Sequence, residues 1–193
     1  MTSTVEICNL ALSHIGKGVP IQSLTEASEE ARQCNLHYAQ ARDWLLQKFP
    51  YQFARKVQSL AGQTNDWGER WQYRFDRPVD CMKIVRVVPE IDDPDSDPIE
   101  YGIRGGSIYS NTDPTYLEYT FRQEDPSKFP AHFIDALSWS IAARVAFPLT
   151  RDRQIRADAA QMAADMRTVA EASDANNEMH RYDYPAEHIE ARD

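Results

Sequence analysis

The spacing of apolar residues changes twice along this chain, and those changes constrain the fold more than any motif does. Up to residue 50 apolar positions recur every three or four residues, the period of an α-helix. From 51 to about 126 they alternate with polar ones, the period of a strand, and from 127 the helical period returns. Helical stripes in that order are buried most simply against one another, with the strands as an insertion. The expected fold is α+β. Residues 1–50 and 127–179 make a discontinuous bundle of about four helices, 51–126 a small antiparallel β-sheet or sandwich, and 180–193 an extended C-terminal tail.

Local signals place the elements. Ser3-x-x-Glu6 is a capping box, Val5, Cys8, Leu12 and Ile15 continue as a stripe, and Gly16 and Gly18 suit a helix stop. Ser23-x-x-Glu26 repeats the box and predicts the start of a longer helix, on which Ala31, Cys34, Tyr38, Ala41 and Leu45 share a face. Pro50 ends it, because the residue before a proline is pushed out of the helical region. Trp71, Tyr73 and Phe75 alternate in "WQYRFD", "MKIVRVV" is β-branched, and Leu117, Tyr119 and Phe121 alternate in "YLEYTF". Gly105-Gly106 tolerates the positive φ angles of a hairpin turn.

The helix opened at Pro130 carries Phe133, Leu137, Ile141 and Val145 on one face, with Ile134, Ala142 and Phe147 around the sides, a breadth expected of a central helix. Pro148 is expected to end it. Thr150 is then placed to cap a last helix with a coiled-coil-like seam of Ile155, Ala159, Met162, Met166 and Val169.

A formal net charge of -9 argues against holding nucleic acid by phosphate neutralisation, which needs a basic patch. An acidic wall still lets DNA slide past it. Cys8, Cys34 and Cys81 are widely spaced, with no C-x-x-C pattern, so neither a zinc site nor a disulfide framework is expected. The N-terminus lacks a signal-peptide pattern, and no stretch approaches the roughly 20 apolar residues of a membrane span, which predicts a cytosolic site of synthesis and no membrane partner.

Three patterns invite a chemical reading. In "PEIDDPDSDPIE", Asp93, Asp95 and Asp97 mimic the alternate ligands of a calcium loop, but Pro98 stands where that loop needs its turn glycine and Arg104 where it needs a bidentate glutamate. A solvated acidic loop is the expectation, and no metal. The histidines His14, His37, His132, His180 and His188 form no ligand pair, and neither a nucleophile elbow nor a phosphate-cradling glycine loop is present. No catalytic residue or cofactor is expected. Finally, "FPYQFARK" interleaves Phe49, Tyr51 and Phe53 with Arg55 and Lys56, a composition able to stack bases and pair phosphates. The net charge favours packing instead, with the aromatics filling the corner between helices and strands.

Taken together, "ICNLALSHIG", "SLTEASEEARQC", "ARDWLLQKFPYQFARK", "RPVDC" and "FIDALSWSIAARVAFPLT", with the helix that follows, resemble in order and spacing the tail tubular protein A family of T7-like short-tailed phages, over residues from about 5 to 170. The resemblance implies a helical bundle with a β insertion, smaller here than in longer members of the family. It also implies a head-to-tail adaptor, structural rather than catalytic. Such a protein forms a ring of about twelve copies beneath the portal protein, offers a docking surface to the tail nozzle protein, and lets DNA pass without binding it specifically. Its place would be the virion neck, after assembly in the host cytoplasm.

On that reading Arg42, Asp43 and Arg55, at the corner, are the candidates for contact between subunits. Tyr182, Tyr184 and Ile189, patterned along the tail, are the candidates for portal binding by strand addition or by filling clefts. The alternatives are a nucleic-acid-binding or DNA-processing module and a metal-dependent enzyme using the acidic loop at 90–100.

Overall fold

The computed structural model describes residues 2–89, 97–113 and 115–177. Within them, helices α1 (Thr4–His14), α2 (Glu29–Lys48), α3 (Ala131–Thr150) and α4 (Arg153–Ala175) form a bundle. Strands β1 (Arg55–Ser59), β2 (Gly62–Gln63), β3 (Tyr73–Asp76), β4 (Cys81–Val88), β5 (Tyr101–Arg104), β6 (Ser107–Ser110) and β7 (Tyr116–Phe121) are inserted between α2 and α3. The fold is therefore α+β, in the order that the apolar period predicts.

Helix α3 is central: α1, α2 and α4 all pack on it. Its Phe133, Leu137, Ile141 and Val145 are fully buried, and so are Ala136, Ala142 and Ala146 around the other sides, where small side chains let the neighbouring helices approach. The α1 box forms as expected, Ser3 Oγ accepting from Glu6 N at 3.2 Å and Glu6 Oε2 from Ser3 N at 2.7 Å. Cys8 and Cys34, remote in sequence, meet across α1 and α2, where their mutual hydrogen bond and burial push the Cys8 thiol far up.

Four local expectations need correction. The Ser23 box opens no helix. Glu26 Oε2 accepts from Gln22 N at 2.7 Å and Ser23 Oγ from Thr25 N at 3.1 Å, which closes a turn on itself. The cap of α2 is Ser28, whose Oγ accepts from Ala31 N at 3.1 Å. Glu29 and Glu30 then occupy the first turn, where the helix dipole favours them.

Pro148 does not end α3 but lies in its last turn, where a missing N–H costs a single bond. Thr150 donates its hydroxyl to Ala146 O at 2.7 Å, Arg151 turns left-handed at φ 58°, and Asp152 caps α4 instead of Thr150. Along α4 the buried side runs through Ala159 and Ala170 to Asp174, while Val169 is 56% exposed. A straight helix of 3.6 residues per turn drifts out of a 3.5-residue seam, and Val169 is where the drift shows.

The strands form two antiparallel sheets, one ordered β1-β7-β4 and the other β2-β3-β6-β5. A small core of Leu60, Phe75, Cys81, Val87, Ile108, Leu117 and Tyr119 lies between them. The β5–β6 hairpin turns on Gly105 and Gly106, at φ 57° and 84°, as its sequence requires. The three-stranded sheet also touches α2 through β4 and β7, so it links the small core to the bundle.

Candidate functional site at the bundle-to-sheet corner

Between α2 and β1 the chain turns at Pro50 and passes through a short 3-10 segment, Gln52–Ala54. Tyr51 is fully buried there, its ring 5.1 Å from Phe49 and 5.0 Å from Phe133, while Phe53 lies 4.8 Å from Phe133 and 5.8 Å from Phe129. Burial, reinforced by the nearby carboxylates Glu171 and Asp174, pushes the Tyr51 phenol well above its ordinary range. Rings packed edge to face in this way are core, and a buried Tyr51 presents no face for a base to stack on.

One buried carboxylate fastens the corner to the far end of the chain. Asp174 is 3% exposed, accepts from Gln52 N at 2.8 Å, and lies 3.4 Å from His132 Nε2 at the start of α3. It ties the last turn of α4 to the first residues after α2.

Charged side chains surround the corner in two networks. Arg42, 7% exposed, reaches Asp43 at 2.8 Å and Glu124 at 3.3 Å, and Asp43 turns its other oxygen to Arg122 at 3.2 Å. On the three-stranded sheet Glu118, also 7% exposed, accepts from Arg86 Nε and lies 3.5 Å from Arg55, one arginine from each neighbouring strand. Arg55 also donates to Pro50 O at 3.3 Å. The structure therefore places Arg42 and Asp43 together and Arg55 in the second network, all engaged within their own chain. Beside them opens a groove of about 750 Å³ lined by Gln58, Val79, Asp80, Arg122, Glu124 and Asp125, with Val79 99% exposed at its rim.

Among the described residues no group of three histidine, cysteine or acidic side chains is placed to hold a metal. Of the acidic loop, Glu90, Asp92, Asp93 and Asp95 lie outside the described residues, as do Tyr182, Tyr184 and Ile189 of the tail. His14 is stacked on Trp139, centroids 3.9 Å apart and planes within 4°, with Ser138 Oγ at 3.0 Å from its Nε2; burial lowers its pKa.

A second cluster escapes sequence reasoning altogether. Trp44 on α2 is met by Lys48 from its own helix, Arg144 from α3 and Arg167 from α4. The Trp44–Lys48 spacing of four is visible in the sequence, but only the bundle brings residues a hundred positions away onto that face. No protein-family model matches this chain, and no curated protein matches it.

Proposed function

We propose that the protein is a structural, non-catalytic head-to-tail adaptor of a short-tailed phage. Copies join through repeated heterologous contacts into a ring between portal and tail nozzle, and DNA passes through its acidic channel. The observation that supports this reading best is where the resembling blocks fall. They lie on α1, the turn before α2, α2 with its corner, the turn into β4, and α3, which are the pieces that make a bundle with a β insertion. In that reading Arg42 and Asp43 act from beneath the surface. They hold Arg122 and Glu124 in place, and the groove beside Val79 receives the neighbouring subunit.

Native mass spectrometry tests the proposal, on the purified protein alone and then mixed with the portal ring encoded beside it. A closed ring of about twelve copies in either sample is the expected result. A monomer that ignores the portal overturns the adaptor reading.

A second reading, a nucleic-acid-binding module, has the Trp44 cluster on its side, since a ring among cations is a stacking platform with phosphate partners. Its signature is tight, salt-sensitive binding of a single-stranded oligonucleotide.

A further inference from the structure

Around Trp44 three positive charges gather with little to neutralise them. Lys48 Nζ lies 5.6 Å from the ring centroid, and the guanidinium carbons of Arg144 and Arg167 lie 5.8 Å and 5.5 Å from it, all within cation–π range. Among the described residues Arg144 donates only to neutral acceptors, the carbonyl and hydroxyl of Ser140. Arg167 reaches Glu171 at 3.9 Å, the outer limit of an ion pair, and its Nε is buried without an acceptor. Lys48 has no carboxylate partner among the described residues. Burial of Arg144 lowers its pKa, as expected where solvent does little to screen the charge.

Like charges brought together around a half-exposed tryptophan are stabilised when an anion enters between them. The space available defines which anion. The cavity holds about 250 Å³ and is floored by Ala143, Ala160, Ala163 and Ala164. That is below the roughly 300 Å³ at which small-molecule sites begin, and suits one or two carboxylate side chains.

The chain itself carries a match. Residues 89–100 contain six acidic side chains and no basic one. The described residues that flank them, Val88 and Ile99, lie at the end of β4 remote from the cavity. Lys83, near the start of β4, donates to Lys48 O at 2.8 Å, whereas Ile99 N donates to Val87 O at 2.9 Å, fixing the return of the segment at the other end. Five residues of strand, roughly 16 Å, separate Lys83 from Val88. An overall charge of -9 repels a long polyanion but not a short acidic segment delivered to one basic spot.

We propose that the cavity at Trp44 is a socket for the acidic 89–100 segment of a second copy, held by Arg144, Arg167 and Lys48. The inference rests on the ring-forming reading, because a segment of one copy bound at a different surface of the next makes a heterologous contact that propagates from copy to copy.

The test uses the full chain and a fluorescent peptide of residues 88–101, read by anisotropy. The wild type is expected to bind it and to ignore the same peptide with its acids changed to amides. Arg167→Gln, a partly exposed position, and the double variant Arg144→Gln with Arg167→Gln are each expected to weaken binding, the double by about tenfold or more. Circular dichroism confirms that both variants are folded. Should the double variant fail to fold, Arg167→Gln and the amide peptide carry the test alone.

Failure of the peptide to bind, or equal binding by the folded variants, overturns the socket. A single-stranded oligonucleotide that binds more tightly than the peptide and is lost in the same variants also overturns it, in favour of nucleic acid. Peptide binding that depends on Arg167 in a protein that never forms a ring keeps the socket and removes the adaptor reading. A ring undisturbed by the double variant, or by Asp93→Asn with Asp95→Asn, does the reverse.

Discussion

At the corner Arg42 and Arg122 share Asp43 and Glu124, and Glu118 is held between Arg55 and Arg86; of the three cations around Trp44 only Arg167 has a carboxylate partner, Glu171, among the described residues. Both clusters flank α2, and both place charge beside apolar surface. At the corner the charges are complementary within one chain, so each group there is part of the fold. At Trp44 the charges are alike and only partly neutralised within the chain, which fits the proposed use by something that arrives from outside. The degree of internal pairing thus separates charges already satisfied within the chain from charges left for a partner to satisfy.

The difference is exposed most strongly by truncating a corner acid. Glu118→Ala leaves two arginine side chains around a sparsely solvated position and is expected to cost about 3 kcal/mol, discounted for the partial exposure of both arginines, read from urea unfolding. Asp174→Ala, which strips the acceptor from Gln52 N, is expected to cost about 2 kcal/mol in the same assay. Arg167→Gln at the other cluster should change stability by no more than about 0.5 kcal/mol, in either direction. A loss there as large as that of Glu118→Ala would make the Trp44 cations structural and erase the distinction.

The smallest effect is a pH dependence from His14. Burial against Trp139 lowers its folded pKa below the ordinary 6.5, so the unfolded chain binds the proton more readily. Its contribution is complete above that ordinary value and is lost as pH falls through the depressed folded value. His14→Gln is expected to flatten the acid side of a plot of unfolding free energy against pH.

Much of this architecture was legible because it rests on periodicity and on residues with few conformational options. The stripe from Ala31 to Leu45, the breadth of α3, the stop at Pro50 and the turn at Gly105-Gly106 all follow from local chemistry, and "FPYQFARK" is a packed corner as its acidic context suggested. The misreadings have a common origin. Ser23-x-x-Glu26 carries the atoms of a cap but spends them on a turn, and Pro148 is tolerated because it lies in the last turn of α3, where its missing N–H costs a single bond. Whether a local signal governs depends on which competing bond is present in three dimensions. Of the candidate site, Arg42 and Asp43 stand one turn before the corner in the sequence, which has no sign that Glu124 and Arg122 complete their network. The Trp44 cluster, assembled from three helices, has no sequence signature.

The bond from Gln52 to Asp174 joins residues 122 positions apart. On a ribosome, that distance means the corner waits roughly ten seconds for its acceptor to be made. During that interval α1, α2 and Tyr51 have been made without α3 and α4 to cover them, and the inserted strands are completed before α3 begins. Protein synthesis therefore delivers the insertion ahead of the bundle it interrupts, and the nascent chain carries an uncovered apolar face until its final helix emerges.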